Sequence, residues 1–266
     1  MDDKLIEFWE HEYLEQIYHL LTIDKDKLIS GLNTKEIIRN DWEQFIEGKK
    51  LSEIATGSER IFYWLFNQFG IPNSSPVGSD LFFETYNAFV HIDIKTVTRD
   101  NITSDFNKRI IIGKNQSSYS GKIIKENGEF KEEYRPQLPQ FYNKSGKSKV
   151  CLTFFIAILN EEKEKGIQAI ILTCMPNGKL SQYYEDSIVI NKNGDLAGPL
   201  APGKNDSEAR FRYIDCNSFK LLDDMHYRTK VLYWNENIVN DKKLFKQLKL
   251  LFDLFQKQCE LENSEL

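Results

Sequence analysis

Apolar residues recur at helical spacing through residues 3–22. Leu5, Ile6, Trp9, Tyr13, Ile17, Leu20 and Leu21 form a stripe that predicts a helix with a core-facing or dimer-facing side. The same period predicts a second helix over 34–46, opening at Thr34. A third is predicted from near Ser58, with Gly57 at its entry and Ile61, Phe62, Leu65, Phe66 and Phe69 on its apolar face. It is expected to stop at Gly70, with Pro72 just beyond. The pattern then changes to strands. Residues 76–84 and 89–97 read as two strands joined by a tight turn at 84–89, where Asn87 tolerates left-handed geometry. Residues 150–159 and 167–174 are near-continuous apolar runs, which predict central strands buried on both faces. Shorter strands are expected at 187–191 and 210–214, with loop signals at Asn193-Gly194 and 198–203. Residues 98–149 are poor in apolar residues, and only 109–113 suggests a strand there. A C-terminal helix over 241–260 carries Leu244, Leu248, Leu251, Phe252 and Phe255 on one face. Helices, a mixed central β-sheet and a closing helix predict an α/β fold, with chemistry at strand ends.

Composition narrows this only a little. At 266 residues the chain is expected to form a single domain over 1–266. N-terminal helices would fill 1–56, a catalytic core 57–125 and 150–215, and the final helix 241–260. No run is long enough to span a bilayer, and the N-terminus lacks the build of a signal peptide, so a cytoplasmic protein with no membrane partner is expected. Cys151, Cys174, Cys216 and Cys259 are widely spaced and read as reduced thiols. His11, His19, His91 and His226 make no metal-ligand spacing. The net charge of −5 argues against a protein that coats nucleic acid without specificity. It does not exclude a locally basic cleft. Lysines, arginines, Tyr119, Tyr134, Phe141 and Tyr142 interleave through 98–149, a composition suited either to a phosphate backbone or to a solvated insertion.

The chemistry concentrates in Phe89-Val-His-Ile-Asp-Ile-Lys-Thr-Val97. A strand alternates its faces with period two, so Asp93 and Lys95 point the same way. An acid and an ammonium inside an apolar strand are costly to bury without purpose. Asp80 lies on the preceding strand, with Glu84 as a competing acid. Other acid-x-Lys triplets, such as Glu47-Gly-Lys49, Glu129-Phe-Lys131, Glu161-Glu-Lys163 and Asp241-Lys-Lys243, lie in polar segments and read as solvated surface. Phosphodiester hydrolysis needs an in-line water and neutralised charge on phosphorus, and one or two divalent cations supply both. Hard cations such as magnesium take carboxylate oxygens. Asp80, Asp93 and the carbonyl of Ile94 are the candidate metal ligands, and Lys95 the group that holds or deprotonates the water. Glu59, in the first turn of the third helix, reads equally as a helix-dipole residue or as a supporting acid.

Asp80, Asp93 and Lys95 together resemble the PD-(D/E)xK nuclease superfamily, and within it the type II restriction endonucleases. The chain departs at the proline, since Pro76 stands four residues ahead of Asp80. Ile92-Asp-Ile-Lys-Thr96 and the polar stretch 99–108 are similar to the EcoRV-like branch, and 193–205 looks like that branch's recognition loop, apart from Pro199 and Pro202. The resemblance implies a restriction-endonuclease-like core and magnesium, one or two ions per active site. It also implies a homodimer on double-stranded DNA, site-specific cleavage leaving 5′-phosphate ends, and a cognate methyltransferase in a prokaryotic cell. It makes Gly198, Lys204 and Asn205 candidates for base-edge contacts. Asn115 and Gln116 are candidates for the minor groove. Two rivals stand beside this reading: a non-specific, repair or resolvase-type nuclease of the same superfamily, and a non-catalytic DNA-binding protein whose Asp93–Lys95 pair is structural.

Overall fold

The structure is a computed structural model that describes residues 1–43, 55–66, 71–72, 78–124, 130–161, 166–184, 189–191, 209–222 and 227–264. The N-terminal stripe forms helix α1, Asp3–Ile23, which buries Ile6, Tyr13, Leu14, Ile17 and Leu21. Helix α2, Lys25–Glu43, follows after Asp24 and starts nine residues ahead of the predicted Thr34. The charged run at 24–27 hides its beginning, while Leu28 and Leu32 are buried and carry the helix inward. Gly31 lies within α2, close against Ile61 of the next helix. A Cβ at Gly31 would lie 3.3 Å from Ile61 Cδ1. Helix α3, Ala55–Leu65, begins three residues before Ser58 and buries Phe62. Its predicted stop at Gly70 lies outside the described residues.

Strands β1 (Ile71–Pro72), β2 (Leu81–Glu84) and β3 (Ala88–Thr98) follow, and the short helix α4 (Ile102–Asp105) leads to β4 (Ile110–Ile111). The polar middle of the chain then supplies β5 (Gly121–Ile124), β6 (Phe130–Tyr134) and β7 (Phe141–Lys144). Their sequences lack the apolar runs that mark a strand; β5 pairs with β6 and β7 with β8 in antiparallel ladders. The two apolar runs become β8 (Lys147–Glu161) and β9 (Gly166–Met175). Strands β10 (Val189–Asn191), β11 (Ala209–Phe211) and β12 (Thr229–Trp234) precede α5 (Lys242–Ser264). Strand β12 had no counterpart in the sequence reading.

Two sheets result. The larger runs β1-β2-β3-β8-β9-β12, with β7 also paired to β8. It is mixed: β3 and β8 are parallel, and β2–β3 and β8–β9 are antiparallel. Strands β8 and β9 are buried along nearly their whole length. Each large apolar side chain there, such as Phe154, Ile156 and Leu172, contributes about 1.5–3 kcal/mol by leaving water. Helices flank this sheet, which gives the expected α/β class with a mixed central sheet. The smaller sheet runs β4-β11-β10-β5-β6. It meets the larger one through Phe211 of β11 and Phe155 of β8, whose ring centroids are 6.4 Å apart. Phe155 is the register partner of Asp93, so the smaller sheet lies over the face that Asp93 shares. No described helix is long and apolar enough to cross a membrane. Cys151, Cys174 and Cys216 are buried and Cys259 is partly buried; none of the four is in a disulfide.

Candidate active site

The hairpin between β2 and β3 brings the acids together. Its turn is closed by the Thr85 N–H donating to Ala88 C=O at 2.9 Å. Asn87 does not use a left-handed backbone; among the described non-glycine residues only Lys108 and Ser145 do. Instead, Asn87 Oδ1 accepts from Tyr13 of α1 at 2.5 Å, which pins the turn to the first helix. The register pairs Leu81 with Ile92, so one residue further along, Asp80 stands opposite Asp93. Asp80 lies just before β2, and its Oδ2 accepts from the Ile94 N–H at 2.6 Å. A strand residue turns its N–H and C=O to the same edge, so the Ile94 carbonyl also lies on the Asp80 side.

Asp93 and Lys95 face the same way, as the alternation requires, and form an ion pair. Asp93 is only 2 % exposed. Burial pushes its carboxyl up to about 6; the charges of Asp80 and Glu59 add to the rise, and Lys95 opposes it. Glu59 of α3 is itself exposed, and its charge reaches Asp93. Glu84, the competing acid, is engaged elsewhere, by Lys144 and by Lys149 at 2.7 Å. It lies at the turn end of the hairpin, while Asp80 lies at the open end, opposite Asp93.

Two further groups line the same face. His91, two residues before Asp93, is buried, and its ring nitrogens meet Ser79 Oγ at 3.2 Å and Tyr142 OH at 2.9 Å. Burial holds the imidazole down to about 3, so it is neutral and structural. Through Ser79 it fixes the residue next to Asp80. Gln116, offered by the sequence as a groove contact, donates from Nε2 to Asp93 Oδ1 at 2.8 Å. Asn115 lies over the turn before Asp80, where a Cβ added to Gly78 would fall 1.7 Å from its Nδ2. Neither placement was legible in the sequence, because both residues come from a polar segment with no period. Gly198, Lys204 and Asn205 lie outside the described residues, as does Pro76.

Among the described residues, no three His, Cys, Asp or Glu side chains converge to hold a metal ion. Two carboxylates do converge, from Asp80 and Asp93, with a backbone carbonyl on the same edge. Asp93 Oδ2 is buried and, beyond its ion pair with Lys95, makes no aligned hydrogen bond. A buried carboxylate oxygen with a lone pair left over, beside a second acid, suits a hard cation that keeps some of its waters.

Comparison with known proteins bears on the family and the fold. Residues 3–164 match the family model described as the N-terminal domain of type II restriction enzyme MwoI, and residues 167–234 match that of its central domain. No curated protein matches the chain. The fold is similar to that of the restriction endonuclease BglI bound to its DNA recognition sequence. There the TM-score is 0.60 at 14% identity, over 85% of this chain and 90% of that one. It is also similar to that of tetrameric restriction endonuclease SfiI bound to cognate DNA. There the TM-score is 0.64 at 14% identity, over 88% of this chain and 87% of that one.

Proposed function

The chain belongs to the MwoI family of type II restriction enzymes, the site-specific deoxyribonucleases, and from that premise we propose how it works. It hydrolyses both strands of double-stranded DNA at a short specific sequence, with magnesium, leaving 5′-phosphate ends. The observation that carries this reading is the meeting of Asp80, Asp93 and Lys95 at the mouth of the β2–β3 hairpin.

Asp80, Asp93 and the Ile94 carbonyl would hold magnesium, which when bound supplies a polarised water and neutralises charge on the phosphate. The residues themselves do the rest. Lys95 stands on the Asp93 carboxylate and is placed to hold the attacking water and offset charge on the phosphate oxygens. Asp80 is exposed and meets the substrate side, while Asp93 is the buried anchor. Glu59 contributes negative charge that strengthens cation binding. Base reading falls to Gly198, Lys204 and Asn205, between the paired strands β10 and β11, with Asn115 nearer the minor groove. A homodimer in the cytoplasm, acting on a palindrome and accompanied by a cognate methyltransferase, completes the reading; the relative SfiI is tetrameric.

Digestion of unmethylated phage DNA with and without magnesium tests it. Discrete bands that need the metal are the expected outcome, and fragment-end sequencing gives the site. A metal-dependent smear would move the protein to non-specific cleavage. No cleavage with any divalent cation would overturn the reading.

A further inference from the structure

The Gln116 carboxamide touches both members of the catalytic pair. Its Nε2 donates to Asp93 Oδ1 at 2.8 Å, and its Oε1 accepts from Lys95 Nζ at 3.1 Å. Its orientation is set by its own turn. Oε1 also accepts from the Gly113 N–H at 2.7 Å, and the Gln116 N–H donates back to the Gly113 C=O at 3.0 Å. This reciprocal pair fixes the side chain on its backbone, in the manner of a capping box.

The turn is held by two strands of the smaller sheet. The Gly113 C=O accepts from Tyr134 OH of β6 at 2.8 Å, and the Ile112 N–H donates to Ala209 C=O of β11 at 3.1 Å. On the far side, the Gly178 N–H donates to Ser118 Oγ at 3.1 Å. A Cβ at Gly178 would fall 2.1 Å from the Ser118 carbonyl oxygen, so the 113–118 segment seats against that glycine without slack.

The chemistry of an amide suits this place. A lysine ammonium rides on a flexible stem and loses much rotamer freedom when fixed. In the Asp93–Lys95 pair it leans on a carboxylate that a cation would draw on. A neutral amide gives Lys95 a second acceptor that does not compete by charge, and gives Asp93 a donor on the oxygen away from Lys95. We propose that Gln116 is a positioning residue, which orients the Asp93 carboxylate and the Lys95 ammonium for cleavage. Reading bases is not its role. The inference rests on the nuclease reading of the same site.

The test compares wild type with Gln116→Ala in steady-state cleavage of a fragment carrying the wild-type site, alongside thermal melts and gel-shift binding in calcium. Misplacing a catalytic pair by a fraction of its hydrogen-bond length costs turnover on the order of 10²-fold. The expected result is that loss in kcat, with KM, calcium-supported binding, melting temperature and cleavage pattern unchanged. Unchanged kcat would overturn the inference, and so would raised KM or a relaxed cleavage pattern, which mark a base contact. If Gln116→Ala melts early, Gln116→Glu takes its place. It keeps the acceptor for Gly113 and Lys95 but removes the donor to Asp93. A folded Gln116→Glu with wild-type kcat overturns the inference, and reduced kcat supports it. A wild type that cleaves no DNA overturns the nuclease reading and this inference with it. A wild type that cleaves, matched by its Gln116 variants, overturns this inference alone.

Discussion

Asp93 and Asp80 stand opposite each other in very different surroundings. Asp93 is buried beneath the smaller sheet, held at one oxygen by Gln116 and paired at the other with Lys95. Asp80 is exposed and tied to the strand through the Ile94 N–H. Lys95→Ala is expected to lower kcat by about 10²–10⁴-fold, the range for losing a positioned proton-transfer group, and to leave DNA binding intact in a gel shift. Glu84→Gln separates the two candidate acids. With Lys144 and Lys149 deprived of their anion, stability should fall by about 1–3 kcal/mol in a denaturant melt while cleavage persists. Loss of cleavage in a folded Glu84→Gln would instead make Glu84 the metal-binding acid. At this scale the sequence carried the Asp93–Lys95 pair through simple alternation. It could not choose between Asp80 and Glu84, because that choice depends on lysines about 60 residues away in the chain.

Helix α1 is anchored to the larger sheet by a buried cluster of charge. Arg228 donates to Glu10 at 2.7 Å and to Glu7 at 3.1 Å, and its guanidinium lies over the rings of Tyr184 and Phe219. Two carboxylates share one guanidinium, and burial pushes Glu10 up to about 7 against the pull of Arg228. The folded protein therefore holds a proton that the unfolded chain releases nearer 4.5. Stability from this group is full below the unfolded value and is lost as pH rises through about 7. Melting temperature should fall between about pH 4.5 and 7, and Glu10→Gln should flatten that slope; an unchanged slope would place the titration elsewhere. Arg228→Met leaves two buried acids without their partner and is expected to cost about 3–5 kcal/mol in a denaturant melt. Elements were legible where the apolar pattern is long and regular, as in α1, β8, β9 and α5, while the six-residue β12 was too short to stand out. Strands β5, β6 and β7 were not, since they carry polar residues and are specified by ladder pairing.

Taken whole, the molecule sets an acidic chain of net charge −5 to work on a polyanion. Attraction must come from local surfaces and bound cations, so DNA affinity should fall steeply with added salt in a titration. A two-fold substrate asks for a two-fold enzyme. Sedimentation of the complex with a cleavable duplex should show twice the 31.2 kDa of one chain, plus the DNA. A single-chain complex cutting both strands would contradict the dimer. The smaller sheet makes the arrangement economical in space: it covers the Asp93 face and holds the turn that carries Gln116.

By itself the sequence determined the α/β class, the two central strands, the hairpin and the Asp93–Lys95 pair. Each follows from local periodicity, and periodicity is written in neighbouring residues. Only the tertiary structure decided that Asp80 stands opposite Asp93, that Glu84 is occupied, and that Gln116 touches both Asp93 and Lys95. These depend on strand register and on contacts between segments far apart in the chain, and such contacts leave no period to read.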